Sequence, residues 1–330
     1  MTNYEEFSKN TVLQHRILET TVGSKLYGTA TPNSDIDYCG VFIAPKELYL
    51  GFQGINEVNL STVSKQSNGK NDKDAIDRKL YELRQFCNLA LANNPNILEI
   101  LYAPLDDFVF SNHLGKHLIN KRYLFPHKGL IKKFGGYAQS QKKKMIVKRD
   151  NMLDIERGIE LLKSLDDPNH NYVVQHKKAI LNSNDRIHDT GQHLMIGDIS
   201  IQKNETIKKA LKKLEDRKDR FSSRFDDYVS KFGYDTKFAS HLIRLLIEGY
   251  EFLRDGELTF PLKEKDLILD IKSGKYTIEE ILEMADDYEN RMNQALLNSP
   301  LPQQGENTEQ VERVMINMIE EHWWEIRNER

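Results

Sequence analysis

The chain is poor in the residues that staple small folds. Its 330 residues include two cysteines, Cys39 and Cys87, which support neither a disulfide framework nor a cysteine zinc site. Long apolar runs are missing as well. No stretch approaches the length of a membrane span, and the polar start from Met1 to Asn10 has no signal-peptide pattern. No membrane association is expected, and a cytoplasmic location is. One sign of charge is missing locally: from Ser111 to Arg149 there are eleven Lys or Arg and not one Asp or Glu, although the whole chain carries a net charge of −3. Such a stretch would attract polyanions; a solvated helix face balanced by acidic surface elsewhere is the bland alternative.

What is present suits a globular protein, with 39% hydrophobic and 29% charged residues over a length that allows two domains or one large one. The most informative stretch is Gly23-Ser24-Lys25-Leu26-Tyr27-Gly28 followed by Ser34-Asp35-Ile36-Asp37. A small, bendable Gly-Ser turn exposes backbone N–H donors and suits a phosphate group. In an extended strand, residues two apart point to one face, so Asp35 and Asp37 can hold the same divalent cations. An Asx-type turn capping the strand is the competing reading. Phosphate cradle, short loop and metal-binding strand together describe a site for a nucleoside triphosphate.

The chain around this motif reads as α/β to about residue 110. Thr20-Thr21-Val22 is β-prone and ends at the Gly-Ser turn; Lys25 to Ala30 is expected to open a helix facing the phosphate. Asp35 to Ala44 reads as a buried strand. Ser61 to Asp74 is polar and reads as a loop or hairpin tip, after which Ala75 to Leu80 resumes as a strand carrying Asp77. Tyr81 to Asn93 has helical spacing, Asn94-Pro95 is a break, and Asn96 to Tyr102 continues as helix. Beyond residue 111 the pattern is mainly helical, at about 113–121, 128–148, 151–164, 204–230, 235–254, 277–296 and 307–327. Asp166 to Asn169 signals a turn, and Ile196 to Ile201 a short strand.

With this order of elements, the chain resembles the DNA polymerase β-like nucleotidyltransferase superfamily, through Gly23-Ser24, Asp35-x-Asp37 and a later acidic residue. The resemblance narrows to bacterial and phage nucleotidyltransferases linked with RNA repair. The phrases GSKLYGTATPNSDIDYCGVF, YELRQFCNLALANNPNILEIL, FGGYAQSQ and GYDTKFASHLIRLL carry it. It implies an α+β protein: a catalytic domain over 1–110, a mixed sheet flanked by helices, and a helical substrate-binding domain over 111–330. It also implies transfer of a nucleoside monophosphate from an NTP, with two Mg²⁺ ions (Mn²⁺ as a substitute) clamping the attacking and leaving oxygens. Asp35 and Asp37 would bridge the metals. Asp77 is the choice for a third carboxylate that binds the ion activating the acceptor hydroxyl; Asp72, Asp74 and Glu82 compete locally.

Ser24 would bind the β- or γ-phosphate, with Gly23 allowing close approach. Two roles are open to Lys25, phosphate contact and a solvated side chain, and two to Tyr27, stacking and packing. Gly28 is expected to let the following loop pack closely. Lys237, His241 and Arg244 fall at i, i+4 and i+7 of a helix and so share a face, a basic stripe suited to triphosphate or an acceptor backbone. Lys142, Lys143, Lys144, Lys148 and Arg149 are the phosphate-contact candidates of the acid-free stretch. Its aromatics, Tyr123, Phe125, Phe134 and Tyr137, suit either base stacking or a core. The expected acceptor is RNA, on the resemblance and the basic stretch. A protein or small-molecule acceptor, a non-catalytic nucleotide- or RNA-binding module, and a protein-interaction role for the helical half stay open, as does the oligomeric state.

Overall fold

A computed structural model describes residues 12–32, 34–52, 54–61, 76–165 and 171–328, with the backbone alone at 148 and 221–230. The loop expected over 61–74, with Asp72 and Asp74, and the turn at 166–169 lie outside the described residues, apart from Ser61. The architecture is mixed α/β with a mainly helical C-terminal region, as expected. Two compact units divide it. The first gathers 1–138, 243–269 and 284–330; the second gathers 139–242 and 270–283. These limits differ from a division at 110/111. Helices late in the chain pack beside the N-terminal sheet, which a change of composition along the chain does not reveal.

In the first unit, β1 (Arg16–Val22), β2 (Asp37–Phe42), β3 (Glu57–Asn59), β4 (Asp77–Glu82) and β5 (Phe108–Ser111) form one sheet in the order β3-β4-β2-β1-β5. A short helix α1 (Lys46–Leu50) follows β2. Strands β1 and β2 are antiparallel, whereas β2 and β4 run parallel. The register aligns Val22 with Asp37 and Asp37 with Asp77. One row across three strands therefore ends β1 and begins β2 and β4. Ile17, Leu18, Val41, Phe42 and Leu80 are buried in this sheet; because neighbours in a strand point to opposite faces, both faces of β1 and β2 are covered there.

Helix α2 (Leu83–Leu91) follows β4 directly. The Glu82 carboxylate caps it by accepting from the N–H groups of Arg84 (2.8 Å) and Gln85 (3.4 Å). Helix α3 (Pro95–Tyr102) starts at Pro95 itself, capped by Asn94, so the Asn-Pro break is a helix start with proline in the first turn. Helix α4 (His113–Asn120) is capped by Asn112, whose Oδ1 accepts from Gly115 N.

Helix α5 (Leu130–Ser164) is continuous where two helices were expected; Asp150-Asn151 weakens the apolar period without breaking the backbone. In the second unit its later turns join α6 (Lys177–Ser183), the strands β6 (His188–Asp189), β7 (His193–Ile196) and β8 (Ile199–Gln202), and α7 (Ile207–Phe232). The expected single strand over 196–201 is thus a hairpin. Ile155, Leu162, Leu194, Ile196, Ile201 and Leu214 form the core here. The chain continues as α8 (Thr236–Asp255), α9 (Lys265–Lys272), α10 (Ile278–Leu297) and α11 (Thr308–Asn328). Among the described residues, no helix is long and apolar enough to cross a membrane.

Candidate active site

The end of β1 opens into a hydrogen-bonded turn over 23–28 instead of the expected helix. Tyr27 N donates to Gly23 O (3.1 Å), Gly28 N to Lys25 O (3.2 Å) and Thr29 N to Ser24 O (2.8 Å). This is one helical turn and no more, closed by left-handed glycines at both ends, φ +70° at Gly23 and +72° at Gly28. As in any first turn, the amides of residues 24–26 have no acceptor within the turn itself. A Cβ at Gly23 would stand 3.2 Å from Asp37 Oδ2, and one at Gly28 only 2.7 Å from Pro261 Cβ. Gly23 thus keeps the turn close to the carboxylate, and Gly28 packs it against the 260–265 segment.

Asp37 and Asp77 lie side by side on parallel strands. With Gly23 and Tyr27 they line a pocket of about 290 Å³. That is the small end of ligand-sized cavities, room for part of a nucleotide. Asp77 is exposed, and its Oδ1 accepts from the Ser61 hydroxyl, which in turn accepts from Arg78 N at 3.2 Å. Asp35 is exposed two residues ahead of β2 and is not part of the pocket lining. The three carboxylates are not drawn together to within 4.8 Å of one another. The donor set, all hard carboxylate oxygen, fits a divalent cation of the Mg²⁺ type. Glu82, the described competitor, is buried on the opposite side of the strand and spent on capping α2.

The period of two along β4 also brings Lys79 and Tyr81 to the pocket. Lys79 Nζ pairs with Glu57 Oε2 at 2.9 Å and lies 4.8 Å from the Tyr81 ring centroid. Partial burial alone would lower its pKa, but Glu57 and Tyr81 outweigh that and raise it, so Lys79 stays protonated beside the carboxylates that line the pocket. Beside it, burial pushes the Cys39 thiol up to about 12, which leaves it inert as a nucleophile. The Asp-x-Lys-x-Tyr alternation was a signal in the sequence for Lys79 and Tyr81. Nothing comparable marked Glu99, which reaches the same pocket from α3.

Behind the pocket, Tyr27 donates its hydroxyl to Glu99 Oε2 at 2.6 Å. Arg244 donates to Glu99 and, at 2.8 Å, to Glu248 Oε1, and its guanidinium lies 4.3 Å from the Tyr27 ring centroid. Arg244 is 5% exposed. It is an internal cation that braces Glu99 and Tyr27, not the solvent-facing phosphate contact that helical spacing suggested. Burial pushes the Glu248 carboxyl up to about 8 even against the attraction of Arg244, with Glu99 adding to the rise. Of the other stripe members, Lys237 is exposed and His241 half-buried; both belong to the second unit, whereas Arg244 belongs to the first.

The acid-free stretch divides too. Phe125 and Phe134 are buried, while Tyr123 and Tyr137 are 57% and 42% exposed. Lys143 and Lys144 are exposed on α5, Lys142 is half-buried and partnered, and Arg149 lies 3.8 Å from Glu279. The Lys148 side chain lies outside the described residues.

Residues 4–163 match the family described as RNA repair pathway DNA polymerase beta family (RlaP). The match bears out the resemblance to DNA polymerase β-like, RNA repair-associated proteins and indicates an enzyme of nucleotidyltransferase type. The chain is also 25% identical over 297 residues to a phage T4 protein described as "Uncharacterized 38.9 kDa protein in nrdC-mobD intergenic region". That alignment covers 82% of this chain and 86% of the relative. No solved structure matches.

Proposed function

We propose that this protein transfers a nucleoside monophosphate from an NTP to a hydroxyl on RNA, with release of pyrophosphate. The observation that carries the reading is the parallel register of Asp37 and Asp77 beside the Gly23 turn, in a chain whose first half matches a polymerase β-like family. Asp35, Asp37 and Asp77 are the carboxylates that would hold Mg²⁺ or Mn²⁺. Bound there, the ions would supply charge for the attacking and leaving oxygens of an in-line displacement.

The chain's own groups divide the remaining work. Amides of the Gly23-Ser24-Lys25 turn donate to phosphate oxygens, and Ser24 adds its hydroxyl. Lys79 places a cation in the pocket against the charge of the triphosphate. The acceptor oxygen forms its bond to the α-phosphorus as the bond to the pyrophosphate oxygen breaks, and the acceptor proton passes to the Asp77 carboxylate. Support for an RNA acceptor comes from the family description and from Lys143 and Lys144, exposed on α5.

The test is incubation of the full chain with Mg²⁺, each labelled NTP in turn, and a mixed pool of RNA, DNA and protein. Label on RNA with release of pyrophosphate is expected, lost in Asp77→Asn although NTP binding persists, and lost in Asp35→Ala/Asp37→Ala. Label on DNA or protein would move the acceptor class. No transfer with any NTP or metal would remove the enzymatic reading.

A further inference from the structure

Away from the pocket, at the β5 end of the sheet, helix α4 begins with His113 and packs with α11. His113 Nε2 lies 3.1 Å from Glu321 Oε1 and 3.1 Å from Glu325 Oε1. The two glutamates are one turn apart on α11, and the three ligand atoms all fall within 4.8 Å of one another.

The ring N–H makes its well-aligned hydrogen bond to Glu321, and Glu325 converges on the same nitrogen at the same distance. A metal ion would use all three groups at once, because each ligand directs its own lone pair at the ion. With bonds of about 2.0–2.1 Å, ligand atoms of one ion stand about 2.9 Å apart at a right angle and about 3.4 Å apart at a tetrahedral angle. The observed 3.1 Å falls between these values.

The ligands are also held in place. Asn112 caps the turn that carries His113. On α11, His322 is buried with its Nε2 3.0 Å from His15 Nδ1. The neighbouring Trp323 donates its Nε1–H to Ala44 O at 2.9 Å. Docking on that side fixes the rotation of α11 and so turns Glu321 and Glu325 towards His113.

We propose that His113, Glu321 and Glu325 form a binding site for a divalent transition metal of the zinc type that clamps α11 to α4. One imidazole and two carboxylates suit a borderline ion; Mg²⁺ and Ca²⁺ prefer oxygen alone. Three protein ligands leave a fourth position for water. The site is separate from Asp35, Asp37 and Asp77 and stands or falls independently of the transferase reading.

The experiment is zinc titration by calorimetry of the full chain, stripped with chelator and held in excess Mg²⁺ so that oxygen-only sites are filled. Wild type should take up a zinc equivalent that persists in Asp37→Asn/Asp77→Asn. His113→Ala and Glu321→Gln/Glu325→Gln should lose that equivalent, or bind it more than about a hundredfold more weakly. Zinc should raise the unfolding midpoint of wild type and leave both of those variants unmoved. Should His113→Ala fail to fold, the isosteric glutamine pair decides. Zinc binding that is absent from wild type, or equal in wild type and the glutamine pair, overturns the proposal.

Discussion

Replacing Arg244 by methionine isolates the buried cluster behind the pocket. The side chains of Arg244, Glu99 and Glu248 are 6%, 3% and 0% exposed, so solvent does little to screen them. Methionine keeps most of the volume and removes the cation, leaving Glu99 and Glu248 beside the Tyr27 hydroxyl without the group that braces them. Breaking a buried ion pair on one side costs about 3–5 kcal/mol, a large share of the roughly 5–15 kcal/mol that holds a protein folded. The cost should appear in urea unfolding at neutral pH.

Glu248 gives the sign of the pH dependence. Its folded pKa is raised from 4.5 to about 8, so the folded chain holds a proton that the unfolded chain has released. The stability from this group is complete below about pH 4.5 and is lost as pH rises through about 8, with a slope of at most about 1.4 kcal/mol per pH unit. Glu248→Gln should abolish that part of the slope. In a double-mutant cycle, Glu248→Leu in the Arg244→Met background should recover part of the loss, because an apolar replacement leaves one fewer buried acid. A cost for Arg244→Met below about 1 kcal/mol would refute the account of Arg244 as an internal brace.

Other perturbations probe the site and the basic helix separately. Gly28→Ala forces a Cβ to 2.7 Å from Pro261 at φ +72°; it should cost about 1–3 kcal/mol in urea unfolding, and a neutral result would show that the turn does not pack as described. Gly23→Ala, with a Cβ 3.2 Å from Asp37 Oδ2, should raise the KM for NTP more than it lowers stability, as read from initial rates against a melt. Lys143→Ala/Lys144→Ala should reduce the salt dependence of RNA binding by about one unit of log–log slope per lysine. An unchanged slope would take those lysines out of the interface.

Much of the site was legible because it is local. Gly23 and Asp37 have a small spacing along the chain, and their residue types report turn conformation and ligand chemistry directly. Asp77 is different: spacing alone could not choose among the acids between residues 72 and 82, and the family resemblance pointed to it. The β2–β4 register gives a physical ground for that choice by setting Asp77 beside Asp37, and it turns Glu82 away to cap α2. The expected helix after Ser24 was misread because its apolar residues, Leu26 and Tyr27, are buried by one turn packed on the 260–265 segment and need no further helix.

The strands β1, β2 and β4, most of the helices and the turn after Val22 were readable from the sequence by itself, since these follow from neighbours a few residues apart; β3 and β5, short edge strands, were not. Tertiary structure alone decided which charges are available. Arg244 shares a helical period with Lys237 and His241, yet it is buried against Glu99, 145 positions away in the chain. Glu99 and His113 carried no local signal, because what defines them is the side chain opposite. Helical periodicity tells which residues share a face; only packing tells whether that face meets water, a carboxylate or the core.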